Sequence, residues 1–173
     1  MADGFGAFGK TPALGDFFHI NAPQGFVRVW DDWVQGAMMA AAKAGGEDWD
    51  DQYMSSPIWR FTLAPGLAGP AKVQGVLMPS VDRVGRRFPL SLMAAIDGDG
   101  PASLDHLTQD DTFEQLEELA LSTLEDGMDR DRLAGPPHDP ENTFFRTNPR
   151  GPQAQGERRR GAVSARAEHL AGL

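Results

Sequence analysis

Two stretches of this sequence carry residue types that could do chemistry. The first is Gly4 to Thr11, where Gly4, Gly9, Lys10 and Thr11 satisfy the phosphate-loop pattern G-x-x-x-x-G-K-[ST]. The second is Ser80-Val81-Asp82-Arg83, followed by Gly85 and Arg86-Arg87. A phosphate loop must leave a buried strand and open a helix, so that main-chain N–H groups face the phosphates. Only Met1-Ala2-Asp3 precede Gly4, and Pro12 follows Thr11 directly. The residue before a proline is pushed out of the helical region. Phe5 and Phe8 suit a strand better than a loop. The expectation is therefore a first strand over 4–10 that ends in a Pro/Gly turn over 11–15.

The second stretch offers more. A turn with a serine, an aspartate and three arginines can hold an anion or grip a carboxylate with two parallel hydrogen bonds. The same residues also suit an internal role, in which Asp82 accepts from turn amides and an arginine pairs with Asp16. A Ser80 nucleophile lacks the G-x-S-x-G elbow, and no pattern brings a histidine to it. The histidines are His19, His106, His138 and His169. None has a partner at metal-ligand spacing, so exposed or capping roles are expected, with no metal and no cofactor.

These stretches must be positioned by a larger scaffold. The 173 residues fit one domain, and 40% hydrophobic content suffices for a core. Cysteine is absent, which excludes disulfides, thiolate metal sites and a cysteine nucleophile. No apolar run approaches the roughly 20 residues that span a bilayer, and no secretory signal is visible. A cytoplasmic location without membrane insertion is expected. The net charge is −9, unevenly spread. Residues 1–132 carry 10 Lys/Arg against 21 Asp/Glu, whereas 133–173 carry 6 against 4. An acidic body argues against nucleic acid as a partner. Arg158-Arg159-Arg160 reads as a solvated basic spot.

Hydrophobic spacing orders the elements. After a short apolar stretch at 16–20, a helix is expected from near Pro23 to Gly45-Gly46, with Phe26, Trp30, Trp33, Ala37 and Ala41 on one face. A short acidic helix follows, with Trp49 and Tyr53 on one side. Trp59, Phe61 and Leu63 alternate with Ile58, Arg60 and Thr62, which predicts a strand with one strongly buried face. All four tryptophans are expected in the core. Val73–Met78 and Arg87–Ile96 give two more strands, and short connections favour an antiparallel meander. Pro89 points to an edge position or a bulge for the last. Asp97 to Pro101 reads as a break. Asp111 and Glu114 form a capping-box pattern for a helix that runs to about Arg132. The fold expected is an α+β layered domain over 4–132, in the order β-α-α-β-β-β-α, with a largely antiparallel sheet and helices packed against it. Residues 133–173 are Pro/Gly-rich and expected to be poorly ordered, with Phe144-Phe145 the one pair that could dock back.

Two segments together resemble the TagF (ImpM) family of bacterial type VI secretion. Gly6, Phe8, Gly9, Lys10, Pro12, Gly15, Asp16 and Phe17 match its opening signature. Pro57, Trp59, Arg60 and Phe61, then Gly75-Val76, Pro79 to Arg83, Val84-Gly85-Arg86 and Phe88-Pro89-Leu90, match its second block. Trp30 and Trp33 fit the W-x-x-W helix between them. The resemblance covers roughly 4–96 and fades after about 130. It implies a cytoplasmic post-translational repressor and not an enzyme, acting by binding the secretion system's forkhead-associated-domain scaffold protein. It marks Lys10, Asp16, Ser80, Asp82, Arg83 and Arg86 as a candidate polar interaction site. The alternative is an anion- or nucleotide-sensing module that uses Lys10, Asp82, Arg83 and Arg86. The sequence leaves the oligomeric state open.

Overall fold

The structure, a computed structural model, describes residues 5–13 and 16–124. Five strands form one sheet: β1 (Gly6–Gly9), β2 (Phe18–Ile20), β3 (Trp59–Leu63), β4 (Lys72–Met78) and β5 (Leu90–Ile96). Their order is β2-β1-β5-β4-β3, and every neighbouring pair is antiparallel. The helices are α1 (Phe26–Gly45), α2 (Trp49–Met54), α3 (Ala102–Thr108) and α4 (Asp110–Ser122). A 3-10 turn over Gly46–Asp48 joins α1 to α2. The expected α+β layered architecture and the β3–β4–β5 meander are both present.

Both faces of the sheet are covered, which is why the two middle strands are buried on both sides. On one face, Phe5, Ala7, Val76, Leu90 and Leu92 pack against Phe113, Leu116 and Ala120 of α4. On the other, Phe8, Val73 and Met93 pack against Phe26, Trp30 and Val34 of α1. Trp30 Nε1 donates to Ser91 Oγ at 2.8 Å, so the buried indole is satisfied and α1 is pinned to β5.

Several sequence expectations need correction. The apolar stretch at 16–20 contains a strand, β2, that pairs with β1. The β5 strand is central and not an edge, because Pro89 stands just before it and removes no ladder hydrogen bond. An extra helix, α3, follows Pro101. The capping box does not form: α4 starts at Asp110 behind Gln109, with no side-chain cap. Its last helical residue is Ser122. Met128, Arg132 and Phe144-Phe145 lie outside the described residues, as does the segment 133–173. The β3 strand lies at the sheet edge, and its face is only partly buried, with Trp59 59% exposed.

Candidate functional site

The phosphate-loop pattern folds as strand and turn. β1 ends at Gly9, Pro12-Ala13 form a turn, and the next element among the described residues is β2. Gly9 has φ +136°, and a Cβ there would lie 2.2 Å from the Pro89 carbonyl oxygen. Glycine is needed here because β1 runs tight against the start of β5, not because a phosphate must approach.

That close approach delivers Lys10 to the Ser80–Arg86 turn. Lys10 Nζ lies 3.1 Å from Asp82 Oδ2, with both side chains nearly inaccessible to solvent. Arg86 Nε donates to the same oxygen at 2.6 Å. Asp82 Oδ1 accepts from the main-chain N–H groups of Val84 at 3.0 Å and Arg86 at 2.9 Å. The turn closes through Gly85 N–H to the Asp82 carbonyl and Asp82 N–H to the Arg86 carbonyl. Gly85 supplies the left-handed position at φ +82° that reverses the chain. Burial works against the charged form of Asp82. The Arg86 main chain, the Lys10 ammonium, the Arg86 guanidinium and Val84 N–H outweigh it and hold its pKa below the usual carboxylate range.

The six candidate residues therefore divide. Lys10, Asp82 and Arg86 meet, and Asp16 approaches Arg86 at 3.5 Å from an almost fully exposed position. The Lys10 ammonium also sits 4.7 Å from the centroid of Phe17, whose ring packs edge-on against Phe88. Ser80 is buried, and its main chain is held from both sides by Tyr53: the Tyr53 hydroxyl donates to the Ser80 carbonyl at 2.8 Å and accepts from Ser80 N–H at 3.0 Å. Among the described residues the Ser80 hydroxyl has no hydrogen-bond partner. Arg83 is exposed and stands apart from the ion-pair network. The internal use of Asp82 weighed from sequence is the arrangement found: the charges of Lys10 and Arg86 are directed at Asp82, where an anion would need them. Chemically, the cluster clamps two loops.

His106, expected to be exposed or capping, is half-buried instead. Its Nδ1 lies 3.0 Å from Thr62 Oγ1, and its ring packs edge-on against Phe113.

The sequence missed a second feature. Trp33, Trp49 and Trp59, expected in the core, line an open groove with Met38, Tyr53 and Leu77. Its volume is about 260 Å³. Trp33 is 54% exposed and stacks on the buried Trp30 with ring centroids 4.8 Å apart. Helical spacing placed Trp33 three residues from Trp30 on a shared face, but α1 turns only part of that face to the sheet. The rest looks into the gap between α2 and the β3 edge. Pro79 and Pro89 also line this gap, so the groove adjoins the clamped turn, whose Tyr53 contributes to both. Arg87 extends the turn to α2 by pairing with Asp50 at 2.5 Å.

Residues 6–135 match the model of the TagF N-terminal domain, described as type VI secretion system-associated. Among solved structures, PA0076 from Pseudomonas aeruginosa PAO1 is similar, with 39% sequence identity and a TM-score of 0.70. The similarity covers 77% of this chain and 64% of that one, so the chain spans less than two thirds of the length of PA0076. No curated protein sequence matches the chain.

Proposed function

We propose that this chain, which belongs to the TagF N-terminal domain family of type VI secretion-associated proteins, is a post-translational repressor of that secretion. It acts by binding another protein, the forkhead-associated-domain scaffold of the secretion system, and not as an enzyme. The observation that carries the binding reading is the groove, with Trp33 54% and Trp59 59% exposed around an apolar floor. Large exposed aromatics around a concave apolar surface are the usual anchors of protein interfaces. The signature cluster supports the groove from behind, because Tyr53 and the Ser80 turn fix α2 against the strands.

The test is co-purification of the scaffold protein with wild type and with the Trp33→Ala/Trp59→Ala double variant, read beside secretion on overexpression. Wild type is expected to retain the scaffold and silence secretion, and the variant to lose both while it stays folded. Absence of association, with secretion unchanged by deletion and by overexpression, sinks the reading.

An anion-sensing role through Lys10, Asp82, Arg83 and Arg86 is the less supported reading, because Asp82 occupies the Lys10 ammonium and one face of the Arg86 guanidinium.

A further inference from the structure

We infer that the tryptophan groove docks a basic amphipathic segment of a partner protein. The segment would place an aliphatic stripe on the floor and Lys/Arg side chains along the rim. This rests on the reading of the groove as a docking surface and adds the chemistry of its occupant.

The floor sets the first requirement. Met38 and Leu77 between indole rings favour an apolar stripe, and the open shape suits an extended or helical segment more than a small enclosed ligand. The rim sets the second. Around Trp49, which lines the groove, positions 47 to 51 carry four carboxylates and no lysine or arginine. Glu47 and Asp48 in the 3-10 turn that leads into Trp49 are exposed and make no ion pair among the described residues. Asp48 and Asp50 flank Trp49 in the chain, and Trp49 lines the groove. Arg87 pairs with Asp50. An apolar groove with the exposed, unpaired Glu47 and Asp48 beside its Trp49 end attracts a cationic segment and repels an acidic one. The exposed indole faces add cation–π partners for incoming Lys or Arg. The same field disfavours an anionic membrane surface, and it disfavours a second copy of this acidic chain approaching face to face.

The probe is an 18-residue peptide of Leu and Lys at helical spacing, compared with a twin in which every Lys is Glu. Neither contains tryptophan, so the intrinsic tryptophan fluorescence of the full chain reports docking, with calorimetry as a second readout. The Lys peptide should bind and perturb the emission, and the Glu twin should not. Affinity should fall at least about tenfold in Trp33→Ala/Trp59→Ala and in Glu47→Gln/Asp48→Asn, and should fall with added salt. Asp97→Asn/Asp99→Asn, which removes acids outside the groove, should leave it unchanged. Equal binding of the two peptides, indifference to the groove variants, or equal loss with Asp97→Asn/Asp99→Asn overturns the inference. So does a dimer in sedimentation that Trp33→Ala/Trp59→Ala dissolves, since the occupant is then a second copy. If the scaffold protein co-purifies through Trp33 and Trp59 while the Lys peptide fails to bind, the basic chemistry is wrong and the docking surface stands. If the peptide docks but the scaffold does not co-purify, the proposed partner is wrong and this inference stands.

Discussion

Lys10 Nζ and Asp82 Oδ2 meet at 3.1 Å across 72 positions of sequence, with both side chains buried. The contact joins the loop after β1 to the turn before β5. Lys10→Met should destabilise the domain by about 1–3 kcal/mol, because one charged hydrogen bond to a buried acceptor is lost while Arg86 remains. Asp82→Asn should lower Tm further than Lys10→Met, since it leaves the buried Lys10 ammonium with no counter-charge. Thermal unfolding of both variants checks the order. A Tm for Asp82→Asn within about 1 °C of wild type would show that the clamp contributes nothing.

Acid should act through the same carboxylate. Asp82 has a folded pKa below its unfolded value, about 3.9 for an unperturbed aspartate. Its contribution is fully present above the unfolded pKa and is lost as pH falls through the folded one. Glu117, whose pKa the Arg60 guanidinium lowers, adds in the same direction. Tm should therefore hold from neutral pH to about 5 and drop below about 4. The acid-side drop should be shallower in Asp82→Asn; parallel curves for the two proteins would contradict the assignment.

Tyr53 is the chain's single tyrosine, so its ionisation can be read directly by absorbance near 295 nm. Burial pushes its pKa up to about 12, against a smaller downward pull from its bond to the Ser80 main chain. Because the folded pKa is raised, the neutral phenol's contribution is intact below the unfolded value of about 10 and is lost as pH rises through about 12. The native titration midpoint should lie near 12, and a midpoint near 10 would mean that the hydroxyl faces solvent. Tyr53→Phe should cost about 1–3 kcal/mol by leaving the Ser80 N–H unpaired.

Asp16 and Arg83 should behave differently from the clamp. The Asp16–Arg86 pair is long and exposed, and such pairs contribute little. Asp16→Ala and Arg83→Ala should each move Tm by less than about 2 °C. A loss as large as that of Asp82→Asn would show that Asp16 is as much a part of the clamp as Lys10.

Much of this fold was legible in the chain because it follows from local periodicity. The Phe26–Trp30 part of the α1 face, the apolar run Val73–Met78, and the Gly45-Gly46 stop each need only near neighbours to be read. Asp111 shows the limit: its capping pattern was present in sequence, yet Gln109 precedes the helix, because α3 ends immediately before it. Pro89 shows another. A proline near a strand signals an edge only if it lies within the ladder, and here the ladder begins one residue later.

The sequence by itself pointed away from a phosphate loop at Gly9-Lys10, since Pro12 disfavours a helix start at Thr11. It also supplied the two signature segments, whose residue types and spacing carry the family resemblance. Only the tertiary structure decided what those residues do. Strand order sets β1 beside β5, and this adjacency turns Lys10 inward to Asp82 instead of outward to a ligand. The tryptophans followed the same rule. Helical spacing placed Trp30 and Trp33 on one face, but how far α1 and α2 reach over the sheet edge left Trp33 and Trp59 open. Burial is a property of what packs opposite a residue, and one chain segment does not contain that information.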